Sequence, residues 1–356
     1  MQGLMMNTQL TTTAIMQFSR KVYADSEIVS VTADQGEHRY GYAEAFSRVD
    51  QLANALAAQG IAQGDCIATL AWNDYRHLEL YYAISSSGAV CHTINPRLFP
   101  EQIEYIINHA QDRIIFVDPA FVDLLASLQE RLPSVEKFVV LTDDAHLPDT
   151  RLRGVQSYEA FITDQAASFA WPELDENSAA ALCYTSGTTG NPKGVLYSHR
   201  SIVLHCYGAA LPDSMNLSAA DVVMPLVPMF HVNAWSIPYA AVMVGAKLVL
   251  PGPRMADGKL LQRLIEQERV TFSAGVPTVW QALLKYLEES GKRIEKLQRI
   301  VVGGSACSRS LIQAFTEKYA VYVHHAWGMT ETSPLAALNT LKPGMDQLPK
   351  TALEDV

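Results

Sequence analysis

The chain has 356 residues, 49% apolar and 18% charged, with a net charge of -10. That balance describes a folded chain with a core large enough for about two or three domains, and it excludes a disordered polymer. The acidic surplus argues against a general nucleic-acid or anionic-membrane surface.

No stretch holds the roughly 18 unbroken apolar residues of a membrane span, and residues 1–19 lack the basic-then-apolar pattern of a secretory signal. Cys66, Cys91, Cys183, Cys206 and Cys307 are scattered, without disulfide-framework or zinc spacing. A cytoplasmic protein with reduced thiols is expected.

In chain order, a helix is possible around Thr12 to Tyr23. Ile28–Thr32 and His38–Tyr40, separated by Asp34-Gln35-Gly36, predict a β-hairpin. Phe46, Val49, Ala53 and Leu56 share one helical face and Gly60 supplies a stop. Strands and helices then alternate: strand 66–72, a helix capped by Asn73 or Asp74 through Ser85, strand 90–94, helix 100–109, strand 114–117, a helix through Leu128 and strand 138–141. Residues 143–177, richer in Asp, Pro, Gly and Glu, are expected to cross to a second sheet.

Alternation resumes with helix 201–210, strand 222–227, helix 235–244, strand 247–250, helix 259–268 and strand 271–274. Helix 278–289, strand 300–302, helix 308–319 and strand 321–325 complete it. Repeated βα units predict an α/β fold of two doubly wound, mainly parallel sheets packed with helices between and around them. The expected division is 1–178, a first α/β region; 179–340, a second; and 341–356, a stretch without strong periodicity.

Between the apolar runs 179–183 and 195–197 lies Tyr184-Thr185-Ser186-Gly187-Thr188-Thr189-Gly190-Asn191-Pro192-Lys193-Gly194-Val195. Glycines let backbone N–H groups close around an anion, hydroxyls add donors and Lys193 adds positive charge, which is the chemistry of a phosphate cradle. A polar hairpin turn is the plainer alternative. The stretch is not a nucleoside-triphosphatase P-loop, because Gly194 and a β-type run follow the lysine.

Three further clusters follow. Pro228-Met229-Phe230-His231-Val232-Asn233-Ala234-Trp235 sets a histidine among aromatics, an arrangement that packing alone can explain. Gly303-Gly304-Ser305-Ala306 ends a strand, where glycines also simply turn a chain. His325-Ala326-Trp327-Gly328-Met329-Thr330-Glu331-Thr332-Ser333-Pro334 contains a Thr-Glu pair that a helix N-terminus could equally use. No Gly-x-Ser-x-Gly elbow supports a Ser-His-Asp hydrolase.

Taken together, these stretches resemble the adenylate-forming superfamily of acyl-CoA synthetases, luciferases and peptide-synthetase adenylation domains, over essentially the whole chain from about Ile28. The resemblance implies an AMP-forming acid-CoA ligase that uses ATP, Mg²⁺ and CoA. It places ATP phosphates against Thr185, Ser186, Gly187, Thr188, Thr189, Gly190 and Lys193, and adenine against Gly304, Ser305, Ala306, His325, Ala326, Trp327, Gly328 and Met329. Thr330 is implied on phosphate, and Glu331 with Thr185 on the metal. The acid is assigned to His231, Val232, Asn233, Trp235, Gly303 and Pro334. Thr185, Lys193, His231, Thr330 and Glu331 are the implied catalytic set.

Trp327 stands where the family usually has tyrosine, which keeps a stacking face and drops a hydroxyl. The histidine cluster lacks the aspartate with which amino-acid-activating relatives hold an ammonium. His92-Thr93-Ile94-Asn95-Pro96-Arg97-Leu98, the histidine cluster and Val244-Gly245-Ala246-Lys247 are similar to the medium- and long-chain fatty acyl-CoA ligase branch. His325-Ala326-Trp327 is similar to medium-chain and methylmercaptopropionate-CoA ligases, with other short-chain or aryl acids as alternatives. The family continues past this point into a barrel and a C-terminal domain with a second lysine, so 341–356 reads as the start of a truncated barrel and the chain as the N-terminal part of such an enzyme, with a homodimer as the state the resemblance implies. A non-catalytic nucleotide- or acyl-binding protein is the competing expectation.

Overall fold

Helix Tyr75–Ser86 is buried at every residue, which a helix on one face of a single sheet cannot achieve. The computed structural model describes residues 1, 3–33, 36–185 and 190–347, and among these two sheets enclose that helix. The strands are β1 Glu27–Val31, β2 Glu37–Gly41, β3 Cys66–Leu70, β4 Val90–Thr93, β5 Ile114–Val117, β6 Lys137–Val140 and β7 Gln156–Ser157. They continue with β8 Ala179–Thr185, β9 Lys193–Ser198, β10 Val222–Pro225, β11 Lys247–Leu250, β12 Phe272–Gly275, β13 Arg299–Val302, β14 Tyr322–Gly328 and β15 Leu335–Leu338.

A seven-stranded sheet runs in the order β7-β6-β5-β3-β4-β8-β9, and an eight-stranded sheet in the order β15-β14-β13-β12-β10-β11-β1-β2. Interior pairings are parallel; β1–β2, β8–β9 and β14–β15 are antiparallel. The doubly wound, mainly parallel α/β expectation therefore holds.

The route between sheets differs from expectation. Residues 143–177 return to the first sheet through β7, and β8 and β9 also join it; from β3 onward the chain stays in that sheet until after β9. The opening hairpin joins the second sheet, because β1 lies parallel to β11, with Ile28 opposite Leu248. Composition marks an irregular segment but carries no record of which distant strand it pairs with.

Helices 12–22, 42–58, 75–86, 199–210 and 237–244 share the core between the sheets. Helices 258–268 and 277–290 cover the outer face of the larger sheet, and 100–110 and 122–128 that of the smaller. Asp74 caps the central helix by accepting from the His77 N–H at 3.0 Å, a contact worth about 1 kcal/mol.

That helix also carries charge into the interior. The Arg48 Nε donates to Glu79 at 2.8 Å and its terminal nitrogens to Glu159 at 3.0 and 3.1 Å. Arg76 donates to Glu159 at 3.0 Å, and the Tyr40 and Tyr158 hydroxyls donate to Glu79 at 3.0 and 2.6 Å. Two guanidiniums and two carboxylates balance, which is the condition for burying such groups. Against the cost of burial, Arg48 and Arg76 hold the Glu159 carboxyl below its ordinary range.

Two helix expectations shift locally. The helix expected from Trp235 is α-helical only over Ile237–Val244, and helix 308–319 is α-helical over Arg309–Gln313 before a wide π turn at Ala314–Lys318. The expected strand 321–325 extends to Gly328.

Candidate active site

Four chain segments end beside one another at the carboxyl ends of strands, where open α/β sheets bind ligands. The first is the β8–β9 hairpin, in which Cys183 pairs with Val195, Tyr184 with Gly194 and Thr185 with Lys193. The glycine-rich stretch thus connects two antiparallel strands. Ser186, Gly187, Thr188 and Thr189 lie outside the described residues. A Cβ on Gly194 would meet the Tyr184 ring at 3.3 Å, so the missing side chain lets that ring cross the hairpin stem. The Tyr184 hydroxyl then sits 2.7 Å from His109 Nδ1, tying the stem to helix 100–110.

The second segment leaves β10 and carries His231. Burial, and then the Arg97 guanidinium, push the His231 imidazole below its ordinary range; it is neutral at neutral pH. Val232, Asn233, Ala234, Trp235 and Ser236 then adopt φ values between +43° and +56°. This is a left-handed turn of five L-residues, a conformation that costs about 1–2 kcal/mol per residue. Burial of all five side chains offsets that cost, and the turn aims Trp235 where a right-handed helix would not.

The third segment follows β13. A Cβ on Gly303 would approach the Trp235 ring to 2.8 Å and the Ala326 carbonyl to 3.1 Å, so only glycine fits beneath the indole. The fourth is the β14–β15 connection. The Met329 N–H donates to the Thr332 hydroxyl and the Pro334 carbonyl, each at 3.0 Å, and the Tyr197 hydroxyl donates to the Thr330 carbonyl at 2.5 Å. These bonds fix the turn that presents Thr330 and Glu331. A Cβ on Gly328 would overlap the Pro334 carbonyl.

The segments enclose a cavity of about 440 Å³ lined by Thr185, Lys193, His231, Val232, Trp235, Gly303, Gly304, Ala326, Trp327, Gly328, Met329, Thr330, Glu331, Pro334 and Leu335. Its lining joins charged and hydroxyl side chains, Lys193, Thr330 and Glu331, with apolar ones, Val232, Trp235, Pro334 and Leu335. Trp327 is 60% exposed, so its ring face is open to a planar ligand.

The AMP-binding enzyme family model matches residues 18–352. The chain belongs to that family. It is 49% identical to the medium-chain-fatty-acid-CoA ligase of Ectopseudomonas oleovorans over 96% of its length and 62% of the relative's. It is 48% identical to the 3-methylmercaptopropionyl-CoA ligase of Ruegeria lacuscaerulensis, over 95% and 63% of the two chains. The chain thus spans less than two thirds of the length of these curated relatives. The fold matches the crystal structure of a long-chain-fatty-acid-CoA ligase from Archaeoglobus fulgidus with a TM-score of 0.83 at 22% identity, covering 96% of this chain and 68% of that one.

Five further residues named from this AMP-binding enzyme's sequence do not line the cavity. Asn233 is buried, its side-chain oxygen facing the Cys183 sulfur at 3.8 Å. His325 Nε2 accepts from the Cys307 N–H at 3.4 Å. Gly190, Ser305 and Ala306 lie outside the lining as well.

Sequence reasoning did not find Leu335, nor the supports Tyr197 and His109. Their partners are remote in sequence, and no short-range spacing signals them. For a divalent cation, Glu331 and Thr185 offer a carboxylate and a hydroxyl within the cavity lining, the hard oxygen donors that Mg²⁺ prefers. Among the described residues no ion pair engages the Glu331 carboxylate, so the donor set fits the group.

Proposed function

We propose that this chain forms the acid- and nucleotide-binding part of an AMP-forming acid-CoA ligase acting on a medium-chain fatty acid. The observation that carries the reading is one cavity whose lining combines charged and hydroxyl side chains with an indole and aliphatic carbon. The 49% identity to a medium-chain-fatty-acid-CoA ligase supports the acid class.

In the first half-reaction a carboxylate oxygen attacks the α-phosphorus of ATP, forming the acyl-adenylate as pyrophosphate leaves. In the second, the CoA thiolate attacks the acyl carbon and AMP leaves. The carboxylate is already ionised, so the first step requires alignment and charge compensation, not a general base. The Lys193 ammonium and the Thr330 hydroxyl face the phosphates, and Trp327 offers its ring to adenine. The neutral His231, in the same lining, borders the substrate carboxylate in this reading.

Trp235, Val232, Pro334 and Leu335 exclude water from the acyl chain. Glu331 and Thr185 would hold Mg²⁺, which when bound neutralises charge on the phosphate oxygens. The same reading takes the enzyme as a cytoplasmic protein and a homodimer.

Acid-dependent exchange of labelled pyrophosphate into ATP, run across short-, medium- and long-chain and aromatic acids, tests the reading. Medium-chain acids should give the highest exchange; preference for aromatic acids would sink it. A second reading, methylmercaptopropionate as the acid, is favoured by the 48% identity to a ligase of that name. The same panel separates the two.

A further inference from the structure

Asn73 is fully buried in the turn between β3 and helix Tyr75–Ser86, far in sequence from every residue of the cavity. Its side-chain nitrogen donates to the Pro225 carbonyl at 3.1 Å and to the Val227 carbonyl at 2.8 Å, and its side-chain oxygen accepts from the Met229 N–H at 2.6 Å. Two carbonyls on one side and an N–H on the other fix the orientation of the amide. Its own backbone carbonyl accepts from the Gly252 N–H at 2.9 Å. About two turns further on, within helix Tyr75–Ser86, the Tyr81 hydroxyl donates to the Met229 carbonyl. Both polar groups of the Met229 peptide backbone are thus held by side chains of the seven-stranded sheet's first crossover, two residues before His231.

The held stretch, residues 225–229, begins at the end of β10, where Pro225 pairs with Ala274 and the Leu226 N–H donates to the Ala274 carbonyl at 2.8 Å. Beyond Leu226 it leaves the ladder and must deliver His231 and then the left-handed turn that aims Trp235. A buried backbone N–H or carbonyl without a partner is costly, so the side chains that satisfy this stretch also decide where it lies.

We infer that Asn73 and Tyr81 are positioning residues for the acyl end of the cavity: by clamping residues 225–229 they set where His231 and Trp235 stand. This rests on the proposed acid-activating function. Neither residue lines the cavity, and the side-chain hydrogen bonds of the clamp go to residues 225–229 alone, whereas the nucleotide is assigned to residues of β8, β9 and the β14–β15 connection. Loss of the clamp should therefore weaken recognition of the acyl chain and leave recognition of the nucleotide intact.

The test measures, on the 356-residue chain, the affinity for octanoyl-sulfamoyl-adenosine, a stable stand-in for an acyl-adenylate, and for sulfamoyl-adenosine without the acyl group. The ratio of the two is the gain contributed by the acyl chain. Asn73→Ala should cut that gain about tenfold or more, since small misplacements of a binding wall are expensive, and should leave sulfamoyl-adenosine affinity within about twofold. Tyr81→Phe, which removes one hydroxyl, should lower the gain in the same direction by about threefold and decides the matter if the alanine variant fails to show a cooperative melt. An unchanged gain in a folded variant overturns the inference, as does equal loss of both affinities, which marks a merely structural role. If the unaltered chain gains nothing from the acyl group, the function reading itself falls and takes this inference with it.

Discussion

The Trp235 indole lies directly over Gly303, close enough that a single methyl group on Gly303 would stand 2.8 Å from the ring. Gly303→Ala should therefore push the indole into the acyl end of the cavity, an overpacking of the kind that costs about 1–3 kcal/mol. Steady-state kinetics should show KM for octanoate rising about tenfold while KM for ATP stays unchanged. An unaltered KM for octanoate would show that the ring does not border the acid.

Removing the Glu331 carboxylate tests the metal assignment. Glu331→Ala should lower acid-dependent pyrophosphate exchange by on the order of 100-fold or more, the usual loss for a group that stabilises transition-state charge, and raise the Mg²⁺ concentration needed for half-maximal exchange. Near-normal exchange with normal magnesium dependence would remove Glu331 from that role.

Stability depends on a different carboxylate. Glu79 is buried and holds the Arg48 Nε and two tyrosine hydroxyls, so Glu79→Ala leaves that nitrogen and two phenols without their acceptor, with Arg48 still held by Glu159. Breaking a buried pair by deleting one partner costs about 3–5 kcal/mol. Urea denaturation should show the midpoint falling accordingly; a loss under 1 kcal/mol, about the value of an exposed pair, would mean that the network is solvated.

The buried histidines give the pH response a direction. Burial pushes His77 down to about 4 from its ordinary 6.5, only partly opposed by its hydrogen bond to the Trp72 carbonyl, and burial pushes His199 and His205 to about 4 as well. In that window the unfolded chain binds protons that the folded chain refuses, so stability is present above pH 6.5 and is lost as pH falls toward 4. Glu159, Asp221 and Glu268, all held below their ordinary range, lose stability in the same direction at still lower pH. Melting temperatures should drop steeply between pH 6.5 and 4, and His77→Gln should make that drop shallower. A parallel slope in the variant would exclude His77 as a contributor.

Much of this was legible in the sequence, for local reasons. The run Ile114–Val117 is continuously apolar because both its faces are covered, and it is a strand with those bounds; Asp74 stands where a helix cap is needed and caps one. Lys193, His231, Trp235, Gly303 and Glu331 stand in short runs that carry the family resemblance, and they converge on one cavity.

The remainder depended on distant partners. That β1 sits beside β11, or that Asn73 reaches Met229, is set by three-dimensional closure and leaves no short-range pattern. Trp235 was expected to begin a right-handed helix because its apolar neighbours suit one; tertiary burial overrode that preference and wound residues 232–236 the other way. The strand β15 is four residues, Leu335–Leu338, and its two alanines give it too little β character to stand out.

The placement of the opening hairpin has a consequence for biosynthesis. Strand β1 leaves the ribosome about 220 residues before its parallel partner, residues 248–250, an interval of roughly 10 to 40 s at ordinary elongation rates. Throughout that interval Ile28 and Val29, fully buried in the finished molecule, have no sheet to enter. The nascent hairpin is a natural client for a chaperone, and the larger sheet closes only when the second half of the chain arrives to complete it.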